Sequence, residues 1–328
     1  MEPIYAKEYE VSPVAVDPYG RLKASRILEY LQTVAGEHSI LLGTDQNALM
    51  DKNLFWAVIR HRVQISRLPH SGEKLRIETW PMPTTRTAYP RSTIAYDEEG
   101  NECFRSISLW ILMDSASRAM VLPGRSGVQV SGLLRGCELQ APSSMLPREM
   151  GAMEERYVRY TDLDLNGHMN NCRYLDWVDD LLPSAFHARH ELKEFTLCYM
   201  SEVMENEPVQ LHWELSDGPV LTVEAVRQDQ TDSMSRGRVF SARLELAEVV
   251  LYTILTFFRE NARRLGFPDK IPVKPGFYRD LSLLPVENAV DNVENSAHCC
   301  TVTVNFLCIY VNRKLRLVMS LFRKMEKI

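Results

Sequence analysis

The chain repeats itself. Shifted by 147 positions, Asp17-Pro18-Tyr19-Gly20-Arg21-Leu22 falls on Asp164-Leu165-Asn166-Gly167-His168-Met169, Arg26 on Arg173, Leu28 on Leu175, Glu29 on Asp176 and Tyr30 on Trp177. Four identities and three like-for-like pairs within fourteen positions favour duplication over a chance likeness of two amphipathic helix starts. A duplicated chain must build one small fold twice. Each copy then has to bury its own apolar face.

Hydrophobic periodicity says what that fold contains. In the first copy Ile27, Leu28, Leu31, Val34, Ala35, Ser39 and Leu42 recur at helical spacing, and Gly43 supplies a stop. Alternating or β-branched runs follow at 54–66, 74–80, 91–96 and 102–113, with Asp97–Asn101 as a hairpin turn. In the second copy a strand is expected at Glu155–Tyr160 and a helix over 169–182. Further strands are expected near 194–203, 208–215, 219–227 and 237–247. The fold class is therefore α+β, a helix covering one face of an antiparallel sheet in each copy. The expected divisions are 1–135, a linker 136–153, a second domain 154–247 and an extension 248–328.

Charge separates that extension from the rest. The net charge is −5, yet residues 249–328 carry +5 and residues 1–248 carry −10. An acidic chain of this kind lacks the positive field that sequence-independent nucleic-acid binding needs. The apolar runs 249–258 and 302–311 are about half the length of a membrane helix, so no integral span is expected. In the tail, Leu315, Val318, Met319 and Phe322 share a helical face ringed by basic residues. Seven Cys without CxxC spacing read as reduced thiols of an intracellular protein. The first ten residues have neither an apolar nor a basic leader pattern.

Where the copies differ, chemistry is expected. Tyr19 stands opposite Asn166 and Arg21 opposite His168, so only the second copy has Asp162, Asp164, Asn166, His168 and Asn170 at alternate positions. A carboxylate, an amide and an imidazole beside a helix start can polarise a carbonyl, although an ordinary N-capping turn uses the same residue types. The string D-x-D-x-N-G also opens a calcium loop. Its twelfth position is Arg173 where a bidentate Glu is required, and no metal or other cofactor is expected.

The segment TDLDLNGHMNNCRYLDW, with Glu202 downstream, resembles the catalytic segment of plant and bacterial acyl-ACP thioesterases. KNLFWAVIRHRVQISRLPHSGEKLRIETW and SLWILMD resemble that family's N-terminal domain. The resemblance spans roughly residues 3–247. It implies two tandem hotdog domains, each a long helix wrapped by a curved antiparallel sheet, and hydrolysis of fatty acyl-acyl carrier protein. It places catalysis on Asp164, Asn166, His168 and Glu202, the last on a strand. Plant members have Cys after that Glu; here it is Val203, so water attack with Glu202 as general base is expected. His168 is expected to stabilise the oxyanion or protonate the thiolate. Cys198 and Cys172 read as core thiols. Ile27, Leu28, Leu31, Trp56 and Trp110 are candidate acyl-pocket walls. Expected partners are acyl carrier protein and a fatty acyl thioester in the cytoplasm, with a homodimer left open. Arg60, Arg62, Arg67, Arg86 and Arg91 are candidates for carrier docking. An acyl-CoA thioesterase and a non-catalytic acyl-ACP or acyl-CoA binding protein are the alternatives.

Overall fold

A computed structural model describes residues 3–135, 139–227 and 237–249. The basic tail and its helical face at Leu315–Phe322 lie outside the described residues. In chain order the elements are β1 (Tyr5–Glu10), α1 (Ala24–Leu41), α2 (Gln46–Met50), β2 (Leu54–Ile65), β3 (Lys74–Pro81), β4 (Tyr89–Tyr96), β5 (Glu102–Asp114), β6 (Met120–Val121) and α3 (Pro123–Ser126). The second copy continues with β7 (Ala152–Tyr157), α4 (Tyr174–Asp179), α5 (Ser184–His187), β8 (His190–Tyr199), β9 (Pro208–Leu215), β10 (Val220–Arg227) and β11 (Arg238–Glu248).

These strands form one sheet in the order β1-β3-β4-β5-β2-β8-β11-β10-β9-β7, with the short β6 beside β5. The neighbouring pairs are antiparallel, and the two copies join where β2 pairs with β8, Arg60 opposite Cys198 through Gln64 opposite Glu194. That joint also carries side-chain bonds, since Glu194 accepts from Arg62 Nε at 2.6 Å and from Gln64 Nε2 at 2.9 Å. One apolar core runs beneath both copies, from Ile27, Leu31 and Phe104 to Phe195, Leu197 and Phe240, and a smaller cluster in the first copy gathers Leu49, Leu54, Tyr89, Leu112 and Val128.

The 147-residue repeat is visible in the backbone. β1 and β7 are one repeat apart, as are the single 3-10 turns Pro13–Ala15 and Tyr160–Asp162. The isolated bridges Val16–Leu22 and Leu163–Met169 also correspond. Gly20 and Gly167 take φ values of +80° and +76°, which a side chain would strain, and this explains their identity. Asp17 and Asp164 each hold the turn with a carboxylate. Asp17 Oδ1 accepts from the N–H groups of Tyr19 and Arg21, and Asp164 Oδ1 from those of Asn166 and His168.

The copies differ in their helices. α1 is an 18-residue helix whose buried face includes Ile27, Leu28, Leu31 and Val34. The helix expected over 169–182 is present only as the six residues of α4. The Asn170 side chain accepts from Cys172 N–H at 3.0 Å and holds a non-helical turn at its start. At the other end Pro183 follows Leu182, biasing it away from the helical region and offering no N–H.

A second correction concerns Glu202. β8 ends at Tyr199, because Met200 and Ser201 both donate their N–H groups to the one carbonyl of Val239, at 2.9 and 3.2 Å. Glu202 therefore lies in the loop beyond the strand. His168 forms an isolated bridge with Met204 two residues further on.

Candidate active site

The tight turn after the second copy's 3-10 turn brings Asn166 and His168 to the wall of a cavity of about 910 Å³. The loop after β8 brings Glu202 to the same place. Glu202 Oε1 lies 3.5 Å from His168 Nδ1; the imidazole is mostly buried, the carboxylate about half exposed. Asp164 does not line the cavity. It stands behind, accepting from the Asn166 side chain at 3.4 Å as well as from the two backbone N–H groups. Three of the four expected residues thus meet at the cavity and the fourth supports them.

The rest of the cavity wall comes from the first copy, including Gln32, Ala35, Gly36 and Ile40 of α1, Leu54 and Trp56 of β2, Tyr89 of β4 and Trp110 of β5. Trp56 is fixed by its indole N–H, which donates to the Thr44 carbonyl at 2.8 Å, and by an edge-on contact with Tyr89. Of the five expected wall residues, Trp56 and Trp110 are there. Ile27, Leu28 and Leu31 are not. They are at most 2% exposed and belong to the core, on the α1 face turned to the sheet.

Sequence reasoning missed Arg118. This residue follows β5 in the first copy, lines the cavity, and pairs its guanidinium with Glu202 Oε2. It also missed Arg227, which donates to the Glu202 carbonyl and, at 2.8 Å, to Ser201 Oγ. Neither residue carries a local pattern that points across the molecule.

The described thiols stand apart from the site. Cys103, Cys172 and Cys198 are free, buried and absent from the cavity wall. Burial pushes the Cys172 thiol up to about 12 and the Cys103 thiol up to about 11, and raises that of Cys198. The position after Glu202 is a fully buried Val203. Among the described residues no group of three or more His, Cys, Asp or Glu is placed to hold a metal ion. No helix among them is long and apolar enough to cross a membrane.

Most of the docking arginines are engaged otherwise. Arg62 pairs with Glu194, Arg67 with Glu73 and Asp97, and Arg60 bonds the Pro142 carbonyl and Ser144. Arg91 sits in the cavity wall against His38 and Thr79, where burial lowers its pKa to about 10. Arg86 is exposed.

A doubled helix-on-sheet unit with one polar cluster, set where the copies meet over a cavity, defines a tandem hotdog protein. Residues 2–122 match the acyl-ACP thioesterase N-terminal domain and residues 147–242 the acyl-ACP thioesterase C-terminal domain. The chain belongs to the acyl-ACP thioesterase family. It is similar to the chloroplastic palmitoyl-acyl carrier protein thioesterase of Gossypium hirsutum, 23% identical over 229 residues, covering 65% of this chain and 55% of that one. With the chloroplastic oleoyl-acyl carrier protein thioesterase 1 of Arabidopsis thaliana it is 26% identical over 231 residues, 62% of each. The chain spans about half to three fifths of the curated relatives it matches.

Among solved structures it is similar to an acyl-ACP thioesterase from Bacteroides thetaiotaomicron, with a TM-score of 0.68 at 22% identity, over 75% of this chain and 98% of that one. The 12:0-ACP thioesterase of Umbellularia californica gives a TM-score of 0.64 at 19% identity, over 76% and 99%. These likenesses bear on the fold.

Proposed function

We propose that the protein is a thioester hydrolase that releases free fatty acid from acyl-acyl carrier protein. The observation that carries this reading is the meeting of Asn166, His168 and Glu202 in the wall of a cavity lined otherwise by the first copy. It fits a division in which residues 1–135 hold the acyl chain and residues 154–247 react, joined through 136–153. Both copies of one chain contribute to the cavity, so a homodimer is not needed to complete it. The reading makes the carrier protein the partner and the cytoplasm the setting.

Thioester hydrolysis needs a proton removed from water and a proton given to the leaving thiolate. Glu202 Oε1 takes the water proton as the new C–O bond forms. His168, 3.5 Å away, relays a proton to the thiolate as the C–S bond breaks. Asn166 orients the water or the carbonyl, and Asp164 holds the turn that places both Asn166 and His168. A covalent thiol route has no support from these residues, because burial opposes the thiolate at each described Cys.

The test is release of fatty acid and thiol from acyl-ACP and acyl-CoA of equal chain length. Faster turnover of the carrier-protein ester is expected; faster turnover of the CoA ester would instead favour an acyl-CoA thioesterase. Hydrolysis of neither would leave a binding protein. Glu202→Gln should fold and lose about 10²–10⁴-fold in kcat. Cys198→Ser should keep its activity, and its inactivation would overturn the water route.

A further inference from the structure

Arg118 enters the second copy's site from the first copy, and its conformation is unusual. It lies in the left-handed region at φ +55°, where a side chain is strained and glycine is not. The turn that carries it is tightly bonded. Asp114 Oδ1 accepts from the N–H groups of Ala116 and Ser117 and from the Ser117 hydroxyl, and the Asp114 carbonyl accepts from Arg118 N–H. Beyond the backbone, the guanidinium stacks over the Phe55 ring at 4.8 Å and ends on Glu202 Oε2.

Stability does not account for this arrangement. Both partners are nearly half exposed, and such ion pairs contribute little to folding, whereas a left-handed arginine opposes it. Position does account for it. Arg227 holds the Glu202 carbonyl from behind, and Arg118 holds one carboxylate oxygen in front. The other oxygen, Oε1, is left toward His168.

We propose that Arg118 is a positioning residue for Glu202: by binding Oε2 it presents Oε1 to His168 and to the attacking water. The site of the second copy is thereby completed by a residue of the first. This inference rests on the hydrolase reading given above, so its test must separate the two.

The informative variant is Arg118→Gly, which removes the guanidinium while relieving the backbone strain. Its melting temperature should equal or exceed that of the parent. Its kcat on acyl-ACP should fall about 10–100-fold with KM little changed. Guanidinium ion in the assay should restore part of the loss, and sodium chloride of equal strength should not. Arg118→Lys keeps the charge without the planar fork and should fall between the two. An unchanged kcat in Arg118→Gly would overturn the inference and leave the hydrolase reading standing. If the parent chain hydrolyses no acyl-ACP, that reading fails instead, and a crystal structure of Arg118→Gly then decides the positioning by itself. Glu202 drawn away from His168 supports the role; Glu202 unmoved overturns it.

Discussion

Asp164 and Asp17 hold the same turn in the two copies, but only Asp164 stands behind reactive side chains. Asp164→Ala removes the acceptor of two backbone N–H groups and frees Asn166 and His168 together. A loss of about 1–2 kcal/mol in unfolding free energy is expected, with a larger proportional fall in kcat than the destabilisation explains. Urea unfolding alongside kinetics checks this, and equal activity in Asp164→Ala would deny it a positioning role. Trp56→Leu should change the preferred acyl chain length, whereas Leu28→Ala should cost about 2–5 kcal/mol of stability without that change. Product analysis and thermal melts separate the two. Asn166 and His168 were legible in the sequence because the duplicated turn carries Tyr19 and Arg21 in their places, whereas Asp164, shared with Asp17, was marked only by the family resemblance. Leu28 was misplaced because helical periodicity marks a buried face without telling core from cavity wall. Arg118 was not legible, since nothing in its neighbourhood says which residue its guanidinium will reach.

At the scale of elements the duplication is instructive where it fails. A second cavity, of about 490 Å³, lies at the position one repeat away from the first. Its lining pairs Asp179 with Gln32, Leu182 with Ala35 and Pro183 with Gly36 across the 147-residue shift. Arg21 fills the place of His168 and ties the copies together. It donates to Asp17 Oδ2 at 2.8 Å, to the His190 carbonyl at 2.8 Å and to the His187 carbonyl at 2.9 Å. Tyr19, in the place of Asn166, donates to the Ser184 carbonyl at 2.8 Å. His70 bridges Arg21 as Met204 bridges His168, which puts Leu68 opposite Glu202. The second site has become a clamp. Tyr19→Asn with Arg21→His should therefore create no activity in a Glu202→Gln background, and should lower stability by about 2–3 kcal/mol. Restored hydrolysis, or unchanged unfolding, would contradict this. The longer strands from β2 onward were readable to within about four residues because alternation and turn residues agree along them, whereas the two-residue β6 carries no such pattern. The second helix was not, because Asn170 and Pro183 override a helical pattern that the intervening residues continue to show.

The molecule as a whole closes its two copies into one sheet, and the sequence carried no sign of that joint, since strand edges have no local signature for their partner. At the joint stands His61, on β2, opposite Leu197 of β8 and Ser108 of β5. Its Nδ1 lies 2.8 Å from Ser108 Oγ, and its ring meets Tyr199 edge-on at 6.0 Å. Burial lowers its pKa from 6.5 to about 3, so the folded protein keeps it neutral while the unfolded chain protonates it below 6.5. Between those values the unfolded state binds the extra proton, so His61 stabilises the fold above pH 6.5 and that contribution is lost as pH falls toward 3. The full span is roughly 4–5 kcal/mol as an upper bound. Asp179 acts with the opposite sign. Burial and the nearby Asp176 and Asp180 raise it from 3.8 to about 7, so its contribution is present below 3.8 and lost as pH rises through 7. It is partly open to the second cavity, so it offsets only a portion of the His61 slope. Unfolding free energy measured from pH 3 to 8 should rise only gently between 4 and 6.5 in the parent chain. Asp179→Asn should steepen that rise and add stability at pH 8, while His61→Gln, which can still bond Ser108, should reverse it. Parallel curves for all three chains would show that neither group governs the acid sensitivity of the joined sheet.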